Sequence, residues 1–525
     1  MTERRRDYAQ GETPAAPTER FGEWAPMVDS SSIFPGNRGV NRHGAYGLYD
    51  APVGVKLRIE PCHKSDPILI AETEWEDGGA VSPSHVWQAD GRYHMLYWAY
   101  PANTVSSHMC YAVSGDGYRW ERPHLHQVEF NGSTQNNLIA DPPTGTPFED
   151  PLAPPEERFK AIGQEEGSFD PDTGERLEYN EYIRRMEHQD LEGPKYKGPR
   201  VELRHWIAGW TSPDGMRWRR IPDRLADVPS DGGNAARFDP RTNDYFAYIR
   251  VGGMGRRAIG LARTHDFRHW PPADLVLAPD PQDDLDVSFY GGYYFPYPGD
   301  PDLHCMLVQI YHQVTDTCDT QLAFSRDGSN WHRPERIPAI PVGPPEDGES
   351  CMVRAWGGPV ELPDGYWGLT YQGQSWLHNC RCAVMWPPEI PGQACWARWR
   401  RHRFCGVEAD TEGRFTIPTA MESGTRRSLV GVSVGGERHN AQLRLNYRCK
   451  PGGWVQCELI SAIPSRLHPD VEGVPGFTFA EADRLTGDQV DQVVTWQGRS
   501  DISPVGDTLA IRIKMFQAKV FAYCC

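Results

Sequence analysis

Acidic residues recur just ahead of segments that read as β-strands, although they are far apart in the chain. Glu76 precedes a strand starting near Gly78, and Asp231 precedes Asn234–Phe238. Asp286 precedes Phe289–Tyr294, and Glu349 precedes Met352–Trp356. Carboxylates gathered in one concave site repel one another, so such a gathering calls for chemistry that needs it. Glycoside cleavage is that chemistry: one carboxylic acid protonates the leaving oxygen while another attacks the anomeric carbon or activates water. Asp231 and Glu349 are the strongest catalytic candidates, because each lies in a short Gly-flanked segment leading straight into a strand. Asp286 follows, and Glu76 completes the set. The competing reading is that each acid only caps a turn, a common use of Asp in loops. His85, Asn137, Tyr290, Arg354, Trp356 and His378 sit on or beside the same strands and are the substrate-binding candidates. Trp356 or Tyr290 could stack on a sugar face, and Arg354 could orient a carboxylate or hold a charged substituent. Aromatics at such positions also serve as core.

The elements that must position these residues carry a repeated frame. Ser114-Gly-Asp-Gly-Tyr-Arg-Trp120, Ser212-Pro-Asp-Gly-Met-Arg-Trp218 and Ser325-Arg-Asp-Gly-Ser-Asn-Trp331 share it, and Thr264-His-Asp-Phe-Arg-His-Trp270 is a looser copy. Each follows a short apolar run, so each unit reads as strand, Asp-Gly turn and buried Trp. A period of roughly 50–60 residues built from short strands predicts propeller blades. Five units are expected: all-β, a five-bladed β-propeller over residues 61–406, followed by a β-sandwich over 407–525. Residues 1–60 are expected to wrap the body. The charged stretch 163–200 reads as an insertion, partly helical over Tyr182–Gln189, that could serve as a lid or a homo-oligomer contact.

With 71 acidic and 54 basic residues, the formal charge of -17 argues against nucleic-acid or anionic-membrane partners. No apolar stretch is long enough to span a membrane. The basic start lacks the apolar core of a secretory signal, so a cytoplasmic protein is expected, its 13 cysteines mostly reduced. No compact metal-ligand motif appears and no cofactor is expected, although a ring of carboxylates and carbonyls would suit a structural Ca²⁺.

The order of these features resembles the five-bladed β-propeller glycoside hydrolases: arabinanases, arabinofuranosidases and invertase-like fructosidases. That resemblance covers about residues 60–525 and implies funnel carboxylates on successive inner strands, a C-terminal β-sandwich and a small carbohydrate substrate such as a furanoside. The chain lacks the Asn-Asp-Pro-Asn-Gly of invertase-like enzymes, so roles are not transferred blade by blade. The frame also resembles the sialidase Asp-box, which would call on Arg250 and Arg354. A glycoside phosphorylase, with Arg354 and His378 around phosphate, and a non-catalytic sugar-binding or scaffolding propeller stand as alternatives. Retaining and inverting cleavage differ in carboxylate separation, which a sequence leaves open.

Overall fold

The structure, a computed structural model, describes residues 24–101, 107–178, 181, 201–228, 230, 232–253, 255–379, 391–418, 421–422, 425–426, 441–461, 469–505 and 510–524. The chain divides into two compact units, Pro61–Arg401 and Met1–Glu60 with His402–Cys525. The segment expected to be helical, Tyr182–Gln189, lies outside the described residues.

The Pro61–Arg401 unit is all-β and built of successive antiparallel meanders. Strands Ala80–Ala89, Arg92–Tyr100 and His108–Ser114 form the first sheet. Asp90 and Gly91 turn between the first two at φ of 50° and 73°, the positive values a two-residue hairpin wants. Phe148–Glu149, Phe159–Phe169, Glu202–Ser212 and Arg219–Arg220 form the second, and Ala235–Asp239, Asp244–Gly253, Arg256–Thr264 and Asp274–Leu277 the third. The fourth, Val287–Tyr297, Asp300–His312 and Thr317–Ser325, joins the fifth through one parallel pair, Cys318 with Met352. In the fifth, Met352–Ala355, Tyr366–Gln374 and Gln393–Arg400 are completed at the edge by His63–Lys64, which precede the first sheet in sequence. First and last sheets also touch: Val81 N–H donates to the Gly392 carbonyl, and Trp396 Nε1 to the Gly117 carbonyl.

The repeated frame is a turn held by its own side chains. Ser114 Oγ accepts from the Gly117 N–H at 2.8 Å, Asp116 Oδ1 accepts from the Tyr118 and Arg119 N–H groups, and Trp120 Nε1 donates to the Gly117 carbonyl. The copies at Asp214 and Asp327 repeat every one of these bonds, with Gly215 and Gly328 at φ of 78° and 70°. The looser copy keeps the indole bond, Trp270 Nε1 to the Phe267 carbonyl at 2.7 Å. Each Asp is held below the usual carboxylate range. For Asp116 the backbone N–H groups come first; for Asp266 the first cause is His269. At Asp214 and Asp327 burial pushes the other way, and the backbone N–H groups outweigh it. A depressed folded-state pKa adds stability above the unfolded value of about 3.9 and loses it as pH falls through the folded value. Acid titration should therefore show a cooperative loss of stability beginning below about pH 4. A chain carrying Asn at all four turn positions should start less stable and show a shallower acid limb in denaturant midpoints.

Leu138 bridges to Cys110 at the edge of the first sheet, and Phe148–Glu149 leads the second. One expectation is corrected here: the charged stretch from Gln164 is not wholly excursion. Phe159–Phe169 runs in unbroken register against Glu202–Ser212, because its alternating residues bury one face although its charges mask the pattern.

In the other unit, Cys405–Ile417, Arg444–Ile460 and Ala510–Cys524 form one six-stranded sheet with Asp488–Val493, Lys56–Ile59 and Ala25–Pro26. The strands expected to separate into a sandwich are thus hydrogen-bonded together, bent by bulges between Ala409 and Glu412 and between Cys449 and Trp454. Trp496, Tyr447, Phe415 and Ile513 are buried in its core. Glu60 accepts from Arg448 and Lys519; burial raises its pKa, and the two cations outweigh this and lower it.

Candidate active site

All five sheets of the Pro61–Arg401 unit contribute to one cavity of about 530 Å³. Trp98 and Tyr100 come from the first sheet; Gln164, Glu165 and Glu166 from the second; Arg250 from the third, with Gly232 and Gly233 from the loop that leads into it. Tyr290, Tyr293 and Gln309 come from the fourth, and Arg354 and Trp356 from the fifth. The second sheet reaches the cavity because its leading strand is short. Phe148–Glu149 pairs only with Lys160 and Phe159, so the rest of Phe159–Phe169 projects past it.

Backbone details aim the side chains. The register shifts between Phe289 and Gly291, making Tyr290 the bulged residue. A bulge re-aims the side chain it carries, and Tyr290 lines the cavity. Gly233, at φ +68°, lies against this bulge: a Cβ there would meet Gly291 Cα at 2.7 Å and the Tyr290 carbonyl at 2.8 Å. Only glycine allows that approach of the third sheet to the fourth. Arg250 donates to the same Tyr290 carbonyl at 2.8 Å and lies 4.6 Å from its ring centroid. On its other side Tyr290 Oη meets His378 Nε2 at 2.5 Å. His378 Nδ1 stands 3.9 Å from Asp316, which accepts from Tyr311 and Asn379. Burial, then the charge of Arg354, lower the His378 pKa, favouring the neutral imidazole that can accept the phenol proton.

Glu165 and Glu166 are the carboxylates lining the cavity among the described residues. Glu165 takes a two-pronged contact from Arg220, at 2.5 and 2.6 Å, and a bond from Trp206 Nε1 at 3.0 Å. Burial raises its pKa, but Arg220 and Trp206 overcome this and hold it below the usual range, so it is ionised at neutral pH. Glu166 pairs with His205 at 3.0 Å. Among the described residues, no group of three or more His, Cys, Asp or Glu side chains is placed to hold a metal ion.

Of the expected site residues, Tyr290, Arg354 and Trp356 line this cavity and His378 touches Tyr290. Asp231 lies outside the described residues, next to Gly232 and Gly233. Three expected catalytic acids lie apart from the cavity. Glu76 is fully buried and accepts five hydrogen bonds, from Tyr97, twice from Arg122 and from the N–H groups of Glu72 and Thr73. Glu349 is held between Lys64 and the Tyr371 hydroxyl. Asp286 caps a turn, accepting from the Val314 N–H at 3.0 Å. Asp150 with Lys160 and Tyr245, and Asp283 with Arg333, repeat the pattern of Glu76 and Glu349. A recurring buried carboxylate–cation lock thus explains most of the acids near the leading strands. Asn137 is also internal, donating to Tyr97 Oη and the Tyr111 carbonyl. His85 stacks on Trp87, and burial with the charge of Arg237 pushes its pKa down to about 3, leaving it neutral. Glu165, Glu166, Gln164 and Trp98 were not anticipated. The signal that would have found the second-sheet residues is the alternation of Phe159–Phe169.

No family model matches the chain, and no curated protein matches it. Among solved structures, the chain is similar to one titled "Glycoside hydrolase", at 11% identity over 65% of this chain and 92% of that one, with a TM-score of 0.42. It is similar to a Bombyx mori GH32 beta-fructofuranosidase at 11% identity over 85% and 91%, TM-score 0.37. A thermostable family-43 glycoside hydrolase is similar at 13% identity over 69% and 95%, TM-score 0.38.

Proposed function

We infer that the Pro61–Arg401 unit is a five-bladed β-propeller and that the protein is a glycosidase acting on a small glycoside or oligosaccharide in the cavity where its five sheets converge. The observation that carries the reading is that cavity: about 530 Å³, supplied by every sheet, walled by Trp98, Trp356, Tyr100, Tyr290 and Tyr293 and holding carboxylates. A volume of this size holds a sugar unit or two, and flat aromatic walls suit sugar faces. Edge strand His63–Lys64, completing the last sheet from a position before the first, supports the propeller.

Glu165 supplies the ionised carboxylate that attacks the anomeric carbon, activates water or stabilises the oxocarbenium-like transition state. Asp231, followed by two cavity-lining glycines, supplies the proton to the leaving oxygen. Glu165 and Glu166 both line the cavity, but as neighbours on one strand they do not flank a sugar from opposite sides, so they do not serve as the pair. The test is hydrolysis of a panel of para-nitrophenyl furanosides and pyranosides by the full chain beside Asp231→Asn and Glu165→Gln. Turnover of one glycoside, lost in both folded variants, is expected. Turnover untouched in both would remove these two residues from the chemistry. A panel silent at all concentrations, with sugars still bound, would favour a binding propeller.

A further inference from the structure

The chain as a whole is strongly acidic, yet its cavity presents an unneutralised cation. Arg354 stands on the leading strand Met352–Ala355 of the fifth sheet and lines the cavity. Its partners are neutral: Nη2 donates to Gln372 Oε1 at 2.5 Å, and the guanidinium lies 5.6 Å from the Trp356 ring centroid. Its Nε is buried without a hydrogen-bond partner, and among the described residues it makes no ion pair. The cavity carboxylates do not neutralise it, because Glu165 is engaged by Arg220 and Glu166 by His205. Arg250, the other lining cation, is directed at the Tyr290 carbonyl and ring.

A guanidinium partly withdrawn from water, its Nε buried and without a counter-charge, gains when a ligand anion pairs with it. We propose that the cavity takes a sugar bearing a carboxylate, a hexuronoside or a comparable sugar acid, with Arg354 as the residue that binds the carboxylate. This rests on the glycosidase reading and names its substrate class. A single free guanidinium matches the one charge of a carboxylate, whereas a phosphate monoester carries close to two. Tyr100 and Tyr293 line the same cavity, and their hydroxyls supply neutral donors to the remaining lone pairs. Selectivity follows from asymmetry: a neutral sugar would cover the half-buried cation and leave it unpaired, whereas a carboxylate pairs with it.

The test is calorimetric binding of galacturonate, glucuronate, galactose, glucose, glucose 6-phosphate and inorganic phosphate to the full-length protein, with Arg354→Gln and Arg354→Lys beside it. One of the two uronates should bind at least tenfold tighter than its neutral counterpart. The preference should weaken with added salt, vanish in Arg354→Gln and survive in part in Arg354→Lys. Neutral sugars should bind more tightly to Arg354→Gln than to the wild type, because no unpaired cation remains to reject them, and a wild-type near-ultraviolet circular dichroism spectrum reports that the variant is folded. Equal binding of acids and neutral sugars, a preference that survives Arg354→Gln, or tighter binding of either phosphate would each overturn the proposal. Uronate preference without hydrolysis of any para-nitrophenyl uronide would sink the glycosidase reading and leave this one standing. Hydrolysis of neutral glycosides with no acid preference would do the reverse.

Discussion

Glu76→Gln is expected to cost about 3–5 kcal/mol of folding stability, the usual loss when one member of a buried ion pair is removed. Both Glu76 oxygens only accept, taking bonds from a phenol, a guanidinium and two backbone N–H groups. A glutamine amide offers one acceptor and one donor group, so at least one of those donors faces an NH₂, and Arg122 keeps its charge without this partner. Arg122 also pairs with the exposed Glu72, which softens the loss without replacing the buried contact. Glu349→Gln should act in the same sense and less strongly, because Lys64 has a partly exposed side chain that can turn to water. That second variant loosens the tie between edge strand His63–Lys64 and the start of Met352–Ala355. Denaturant midpoints followed by tryptophan fluorescence read both effects. In the fraction that remains folded, hydrolysis should keep its wild-type KM. A wild-type midpoint together with activity lost a hundredfold or more would return Glu76 to the catalytic set.

The second large effect is on turnover. Glu165→Gln should lower kcat by about 10²–10⁴-fold, the range for removing a positioned acid–base group, with KM little changed. A structural contribution is also expected, since Arg220 loses its carboxylate, and a pH profile separates the two. Arg220 lowers the Glu165 pKa, and the ionised form is the active one, so activity rises with pH through that pKa. Arg220→Met removes the cation while burial remains, so the acid limb of kcat/KM should move to higher pH. If Glu165 only braced its strand, Arg220→Met would change stability and leave the acid limb where it was.

Local and remote information separate cleanly in this protein. The Ser-x-Asp-Gly-x-x-Trp turns were legible because every bond that defines them joins residues within a few positions of one another. The same holds for the Asp90-Gly91 hairpin and for most strands, whose alternation is a local pattern. Partner choice among charges was not legible. Glu349 finds Lys64 across 285 positions, and Glu76 finds Arg122 across 46. An acid placed before a strand looks alike in sequence whether it faces a cavity or a buried cation. Burial next to a fixed cation makes it a structural lock, and only the packing of strands supplies that cation. Tyr290, Arg354 and Trp356 could be picked out by residue type and position. Their meeting with Glu165, Arg250 and Trp98 came from five sheets converging on one cavity, which no local pattern encodes. The sequence by itself determined the turns, the strands and their repeat; the tertiary structure decided which charges are spent on each other and which remain to meet a ligand, because electrostatic partnership depends on distance in space and on exclusion of water.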